Sequence, residues 1–460
     1  MTISSLAHWR EKPLPGAGPA YDRILSRLAR DIQSGVLAAG ARLPTQRALA
    51  EQLGVGLGTV TRAYAEAEVR GLIEAVVGRG SFVARQAAEP RADGPIDLAR
   101  NIVPQAPSRS ALRAAIAGLG RRSDLLGRLD YAPDGGFAAD RAAGAEWLVR
   151  TSNLGQVEPG GIIVTAGAQQ AIHLAMAVLC RPGDPIVFEQ ATFFNAKTTA
   201  NHLGLRLVGA EMDGEGLTPD ALDRAVRVSG ARAAYVQPFQ NPTARVMSVA
   251  RREEILATAR RLGIILIEDD LYAAAITELG LPPLRALAPD IVMHVSGLSK
   301  GLAPGLRTGY LLPPERYRAA ICEAQRAVTF GAPTFGSLIG TQWIESGEAF
   351  DMLDEVRREC RERTDLARRI LAERLEPLRQ RASPHVWLPL GELESERVAG
   401  QAARAGVQVT PPQAPFVPGA AVSGLRLCLG GAPDLAALER ALEVVNTALE
   451  PGRSFPESVV

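Results

Sequence analysis

The chain has 460 residues, 47% of them hydrophobic, and a formal charge of +1. Such a length predicts two or three domains with apolar content for a sizeable core. The balanced charge excludes a globally basic nucleic-acid binder and confines any such contact to a local patch. Cys180, Cys322, Cys360 and Cys428 are scattered with no Cys-x-x-Cys pair, and the five histidines are equally dispersed. That pattern argues against a metal site or a disulfide framework and for free thiols in a reducing cytosol. Residues 1–10 lack a signal-peptide pattern, and the apolar run 162–180 is broken by Gln169, Gln170 and His173. A cytoplasmic protein with no membrane span is therefore expected.

The first 85 residues read as a separate module. Ile24, Leu25, Leu28 and Ile32 form a helical stripe over 21–34, closed by Gly35. Pro44-Thr45 opens a second helix to Leu53, with Thr45 as N-cap. A glycine turn over 54–58 precedes a third helix over 59–70, stopped by Gly71. Two strands, 72–77 and 81–84, flank a hairpin at Gly78-Arg79-Gly80. Three helices and a hairpin make a winged helix-turn-helix, whose recognition helix enters the DNA major groove. Thr59, Thr61 and Arg62 stand at its start, and Arg79 at the wing tip is placed for a phosphate or the minor groove.

The module resembles the GntR family of bacterial transcription regulators. The likeness rests on Leu43-Pro44-Thr45, Arg47, Leu53-Gly54-Val55, Thr59-Val60, Ala63-Tyr64 and Gly80-Ser81-Phe82-Val83. It implies that Arg47 and residues early in the third helix contact double-stranded DNA. One departure is Gly56-Leu57, where that family usually carries Ser-Arg.

Residues 86–95 are polar with two prolines and read as a linker. Beyond it, from 96 to 460, near-continuous apolar runs at 161–165, 185–188, 233–236, 264–267 and 291–295 alternate with helical stretches such as 251–261. They predict a mostly parallel sheet covered by helices, with ligand residues at the strand carboxyl ends. A large part over about 135–330 is expected, followed by a smaller C-terminal α+β part over about 331–460 with short strands near Val407 and 425–429.

Lys300 is one of three lysines in an arginine-dominated chain. A buried lysine can lose its proton and attack an aldehyde, and Arg307, seven residues on, offers a planar fork for phosphate. Pyridoxal 5′-phosphate needs that combination. Gly167-Ala168-Gln169 opens a helix whose free N–H groups attract phosphate. Phe193 can stack on a pyridine ring, Asn241 can donate to the ring oxygen, and Tyr272 sits beside it. Asp269, within three consecutive acids 268–270, can hold the pyridine nitrogen protonated.

In order and spacing these motifs resemble fold-type I aminotransferases. The resemblance implies that Lys300 bonds the cofactor, that Asp269 pairs with its ring nitrogen, and that Asn241 and Tyr272 contact its ring oxygen. It assigns phosphate to Ser299 and Arg307, the substrate α-carboxylate to Arg426, and a reach across a homodimer interface to Tyr131. Gly297 departs by lacking a hydroxyl common three residues before the lysine, with Ser296 beside it. Reader and body together resemble the MocR-type transcription regulators from end to end. That likeness implies a regulator whose body senses an amino compound or the cofactor itself. An aminotransferase with an accessory reader, and a DNA-binding protein whose body no longer uses the cofactor, remain the alternatives.

Overall fold

A computed structural model of the protein describes residues 19–33, 36–38, 40–69, 72–76, 80–83, 94–104, 109–276 and 279–450. Gly35, Gly71, Arg79 and linker residues 86–93 lie outside them. The chain divides into two units, Met1–Gly94 with Ser108–Gly118, and Pro95–Pro107 with Leu119–Val460.

The first unit contains the winged helix-turn-helix: α1 (Ala20–Gln33), α2 (Gln46–Leu53), α3 (Leu57–Val69), and the antiparallel hairpin β1 (Ile73–Val76) and β2 (Gly80–Val83). Ile24, Leu25 and Leu28 of the stripe are buried with Leu49, Val60, Tyr64, Ile73 and Val83. Thr45 caps α2 by accepting from the Ala48 N–H at 3.2 Å. Gly54, at φ 62°, ends that helix in the left-handed region where a glycine costs least. The glycine turn is shorter than expected. Gly58 already belongs to α3, which starts at Leu57 because the Thr59 N–H finds the Gly56 carbonyl at 3.0 Å.

The second unit opens with β3 (Ile96–Leu98) and is centred on a seven-stranded sheet. In chain order its strands are β4 (Ile163–Thr165), β5 (Pro185–Glu189), β6 (Arg206–Ala210), β9 (Ala233–Val236), β10 (Ile265–Asp269), β11 (Val292–Gly297) and β12 (Gly309–Leu312). A short hairpin, β7 (Met212–Asp213) and β8 (Gly216–Leu217), lies between β6 and β9. The spatial order is β4-β12-β11-β10-β9-β5-β6, parallel except for β12, which is antiparallel to both neighbours. The expected first run is trimmed at its start, because Pro159–Gly161 forms a 3₁₀ turn.

The smaller part pairs β13 (His385–Leu388) with β15 (Leu425–Cys428), and β14 (Val407–Val409) with β3. It is therefore discontinuous in sequence: Leu98, from the start of the body, is buried in one apolar cluster with Val386, Leu427 and Leu442.

Candidate functional site

The strand carboxyl ends gather the candidate residues. Asp269 ends β10, Lys300 lies three residues beyond β11, Asn241 five beyond β9, and Gly167 two beyond β4. Strand alternation sorts the three acids. Glu268 and Asp270 turn to His294, with Glu268 Oε2 2.9 Å from Nδ1 and Asp270 Oδ2 3.8 Å from Nε2. Burial alone would raise Glu268, but the His294 bond and charge leave it below its usual range. Asp269 points elsewhere.

At one end of the site the geometry favours an anion. Gly167, at φ 77°, caps the twelve-residue helix Ala168–Leu179. A side chain there would put Cβ 2.5 Å from Arg307 Nη2. Glycine is what lets the guanidinium lie over the free N–H groups of that helix start. Arg307 is itself left-handed (φ 49°) and donates to the Ala166 carbonyl at 3.2 Å. Gly309 brings β12 equally close, since a Cβ there would meet the Gly167 carbonyl carbon at 2.5 Å. Gln169 is occupied: its amide donates to Thr199 Oγ1 at 2.6 Å and to the Asn195 carbonyl at 3.3 Å. Ser299 is buried beside Lys300. The missing hydroxyl at Gly297 has a steric cause, because a Cβ would lie 2.9 Å from the Thr308 carbonyl oxygen across the β11–β12 pair. Ser296 is buried on the same strand.

In the middle, Asp269 Oδ2 accepts from the Tyr235 hydroxyl at 2.5 Å and Oδ1 from the Leu271 N–H at 3.3 Å. Burial raises its pKa, opposed by these donors and by the Lys300 charge. Among the described residues it makes no ion pair. Burial also brings the Lys300 amine down to about 8, and its Nζ donates to the Asn101 carbonyl. The Tyr272 hydroxyl accepts from Asn241 Nδ2 at 3.3 Å and from the Asn101 amide. Asn101, Tyr235 and Thr410 carried no motif in the sequence.

At the other end Arg426 is buried and donates from Nε to Thr410 Oγ1 (3.1 Å), from Nη1 to Asn241 Oδ1 (2.7 Å) and from Nη2 to the Ala99 carbonyl (3.1 Å). Three of a guanidinium's five N–H bonds are thus used, leaving one on each terminal nitrogen, a pair that suits a carboxylate. Arg426 and Lys300 line one cavity of about 510 Å³ with Phe193, Asn195 and Arg100; its lining holds three cationic side chains and no carboxylate. Tyr131 is outside that lining: it is 78% exposed, and its ring lies 5.1 Å from Phe330.

In the reader, Arg47 and Thr61 are exposed, and Thr61 Oγ1 donates to Gln46 Oε1 at 2.8 Å, tying α3 to the start of α2. Thr59 is half-buried. Arg62 lays its guanidinium 4.0 Å from the Tyr21 ring centroid, a cation–π contact back to α1.

Comparison with known families matches residues 93–445 to aminotransferase class I and II and residues 20–83 to the bacterial regulatory proteins of the gntR family. The HTH-type transcriptional regulator YdeF of Bacillus subtilis is 28% identical over 410 residues, covering 87% of this chain and 88% of the relative. The HTH-type transcriptional regulator TauR of Rhodobacter capsulatus is 28% identical over 360 residues, covering 69% and 72%. Among solved structures, the α-aminoadipate aminotransferase LysN of Thermus thermophilus, complexed with N-(5′-phosphopyridoxyl)-L-leucine, superposes with a TM-score of 0.70. It is 25% identical, with 84% of this chain and 98% of that one covered.

Proposed function

The chain belongs to the aminotransferase class I and II family with a GntR-type domain ahead of it, and from that premise we propose that it is a pyridoxal-phosphate-dependent transcription regulator whose body senses an amino compound. The residues present fit the cofactor from end to end. Arg307 and the helix start at Gly167-Ala168 would hold its phosphate, Asp269 its ring nitrogen, Asn241 and Tyr272 its ring oxygen, and Phe193 one ring face. When bound, the group supplies an electrophilic carbon and an electron-withdrawing ring. Lys300 supplies the amine, made nucleophilic by burial that brings its pKa to about 8. Arg426 directs its two remaining N–H groups at an incoming carboxylate.

One observation carries this reading: Asp269, a buried carboxylate with no ion pair among the described residues, shares a row of strand ends with the Lys300 amine and the Gly167–Arg307 cradle. A cationic pyridinium is the partner such a carboxylate lacks.

In the reader, Arg47, Thr59, Thr61 and Arg62 are proposed to contact double-stranded DNA. We assign the working form as a homodimer. Leu126, Leu129, Tyr131, Phe330 and Phe335 are exposed on two chain stretches joined where Tyr131 meets Phe330, a surface a second copy would cover. No helix among the described residues is long and apolar enough to cross a membrane, and a DNA-reading regulator belongs in the cytoplasm.

Full turnover as an aminotransferase is the second reading, favoured by the unused N–H pair of Arg426. The test is purified protein loaded with pyridoxal phosphate and titrated with an amino-acid panel. A visible band that Lys300→Ala lacks, perturbed by an amino acid without sustained release of keto acid, supports the sensor. Steady release at rates of ordinary enzymes, about 1–1000 per second, overturns it in favour of the enzyme.

A further inference from the structure

We infer that Asn101 is a positioning residue that acts through Tyr272 to make that phenol a stronger hydrogen-bond donor, a role that rests on the cofactor reading above. The path of Asn101 is fixed by its neighbours. It follows β3, which pairs with β14, and the Asp97 carboxylate accepts from the Ala99 and Arg100 N–H groups at 2.9 and 3.2 Å. The segment thereby turns its carbonyls to the two buried cations, Ala99 to Arg426 Nη2 at 3.1 Å and Asn101 to Lys300 Nζ.

The side-chain amide of Asn101 has a separate use. Its Nδ2 donates to the Tyr272 hydroxyl oxygen, which also accepts from Asn241 Nδ2. Two N–H groups take both lone pairs of that oxygen, so the phenol proton is left to donate outward. The Asn101 N–H also stabilises negative charge on the oxygen and works against the burial that raises the Tyr272 pKa. The far end of the amide, Oδ1, is buried and has no hydrogen-bond partner among the described residues.

Several other groups surround the hydroxyl. They are Arg426 and Cys428 of β15, Asp269 of β10, His385 of β13 with its ring 5.4 Å from that of Tyr272, and Lys300 6.0 Å from the ring centroid. The Arg426 charge lowers the Tyr272 pKa, Cys428 and Asp269 raise it, and the Asn101 hydrogen bond lowers it in addition to Arg426. A phenol that donates strongly favours the ionised ring oxygen of the cofactor, and the pH midpoint of the bound chromophore should report it.

The experiment titrates the visible band of the cofactor-loaded full-length protein against pH. Variants are Asn101→Ala, Asn101→Asp and Tyr272→Phe, with Asn101→Ala also placed in the Tyr272→Phe background. Loss of the N–H in Asn101→Ala should raise the midpoint by about one pH unit. The isosteric Asn101→Asp should raise it further, because it keeps the shape, removes the donor and adds negative charge. In the Tyr272→Phe background Asn101→Ala should change nothing more. An unchanged midpoint in Asn101→Ala, or wild-type behaviour in Asn101→Asp, overturns the role: the first makes the amide idle, the second makes it a spacer or an acceptor. A wild-type protein that takes up no pyridoxal phosphate overturns the cofactor reading itself, a separate and visible failure.

Discussion

In the reader, Arg47 stands exposed on a helix held by Leu28, Leu49, Val60 and Tyr64, so a group proposed to meet DNA is distinct from those that form the core. In the body the reverse holds. Asp269, Asn241 and Arg426 are buried, and each is hydrogen-bonded to elements distant in sequence. A surface site can lose a side chain and lose only binding, whereas a buried site loses order with it.

The largest effect expected from this contrast lies in the reader core. Leu49→Ala should cost about 2–5 kcal/mol, enough to melt a small module while the body keeps its visible band. Separate melting transitions, followed by circular dichroism and by chromophore absorbance, check it; coincident loss of both signals breaks the comparison. Next comes Arg426→Lys. It keeps a charge but loses the fork, so the Asn241 Oδ1 and the Ala99 carbonyl lose donors. Amino-acid affinity should fall by tens of fold, about 2 kcal/mol or more, with a lowered melting point of the body as well.

A third, smaller effect concerns pH. The Lys300 amine is brought to about 8, below the ordinary value for lysine. A depressed lysine is neutral above its folded pKa, so cofactor-free protein should combine with pyridoxal phosphate faster as pH rises through about 8 and level off beyond it. A midpoint near the ordinary lysine value of about 10, in stopped-flow absorbance, contradicts the burial argument. The smallest effect belongs to the exposed Arg47. Its replacement by alanine should leave stability within about 0.5 kcal/mol and reduce the log–log salt slope of DNA binding by about one unit.

Legibility in the sequence follows the same division. In the reader the Thr45 cap and the apolar spacing are local signals and legible in the sequence, while Gly35 and Gly71 lie outside the described residues. There α3 starts earlier than the glycine turn suggests, and β2 begins at Gly80, which the sequence places in the hairpin turn. Among the strands, the apolar runs marked those buried on both faces. They missed β6, an edge strand that begins with Arg206 and is only partly buried, and β12, a strand of four residues that begins two positions after Arg307. The motif residues of the site gather at the strand ends, yet Asn101 was invisible. It is a lone asparagine in a short loop, and its contact with Tyr272 spans 171 positions. The pairing of β3 with β14 is equally non-local, and it is what divides the smaller part between the two ends of the body.

The most direct test of the account measures the affinity of the protein for DNA from its own upstream region, with and without an amino compound that perturbs the visible band. Wild type and Lys300→Ala are compared. The account predicts that the compound shifts wild-type affinity by roughly 5- to 150-fold, the range of ordinary coupling. Lys300→Ala should bind DNA with no response to the compound. A protein that binds no DNA, or one whose response to the compound survives the loss of Lys300, would contradict it.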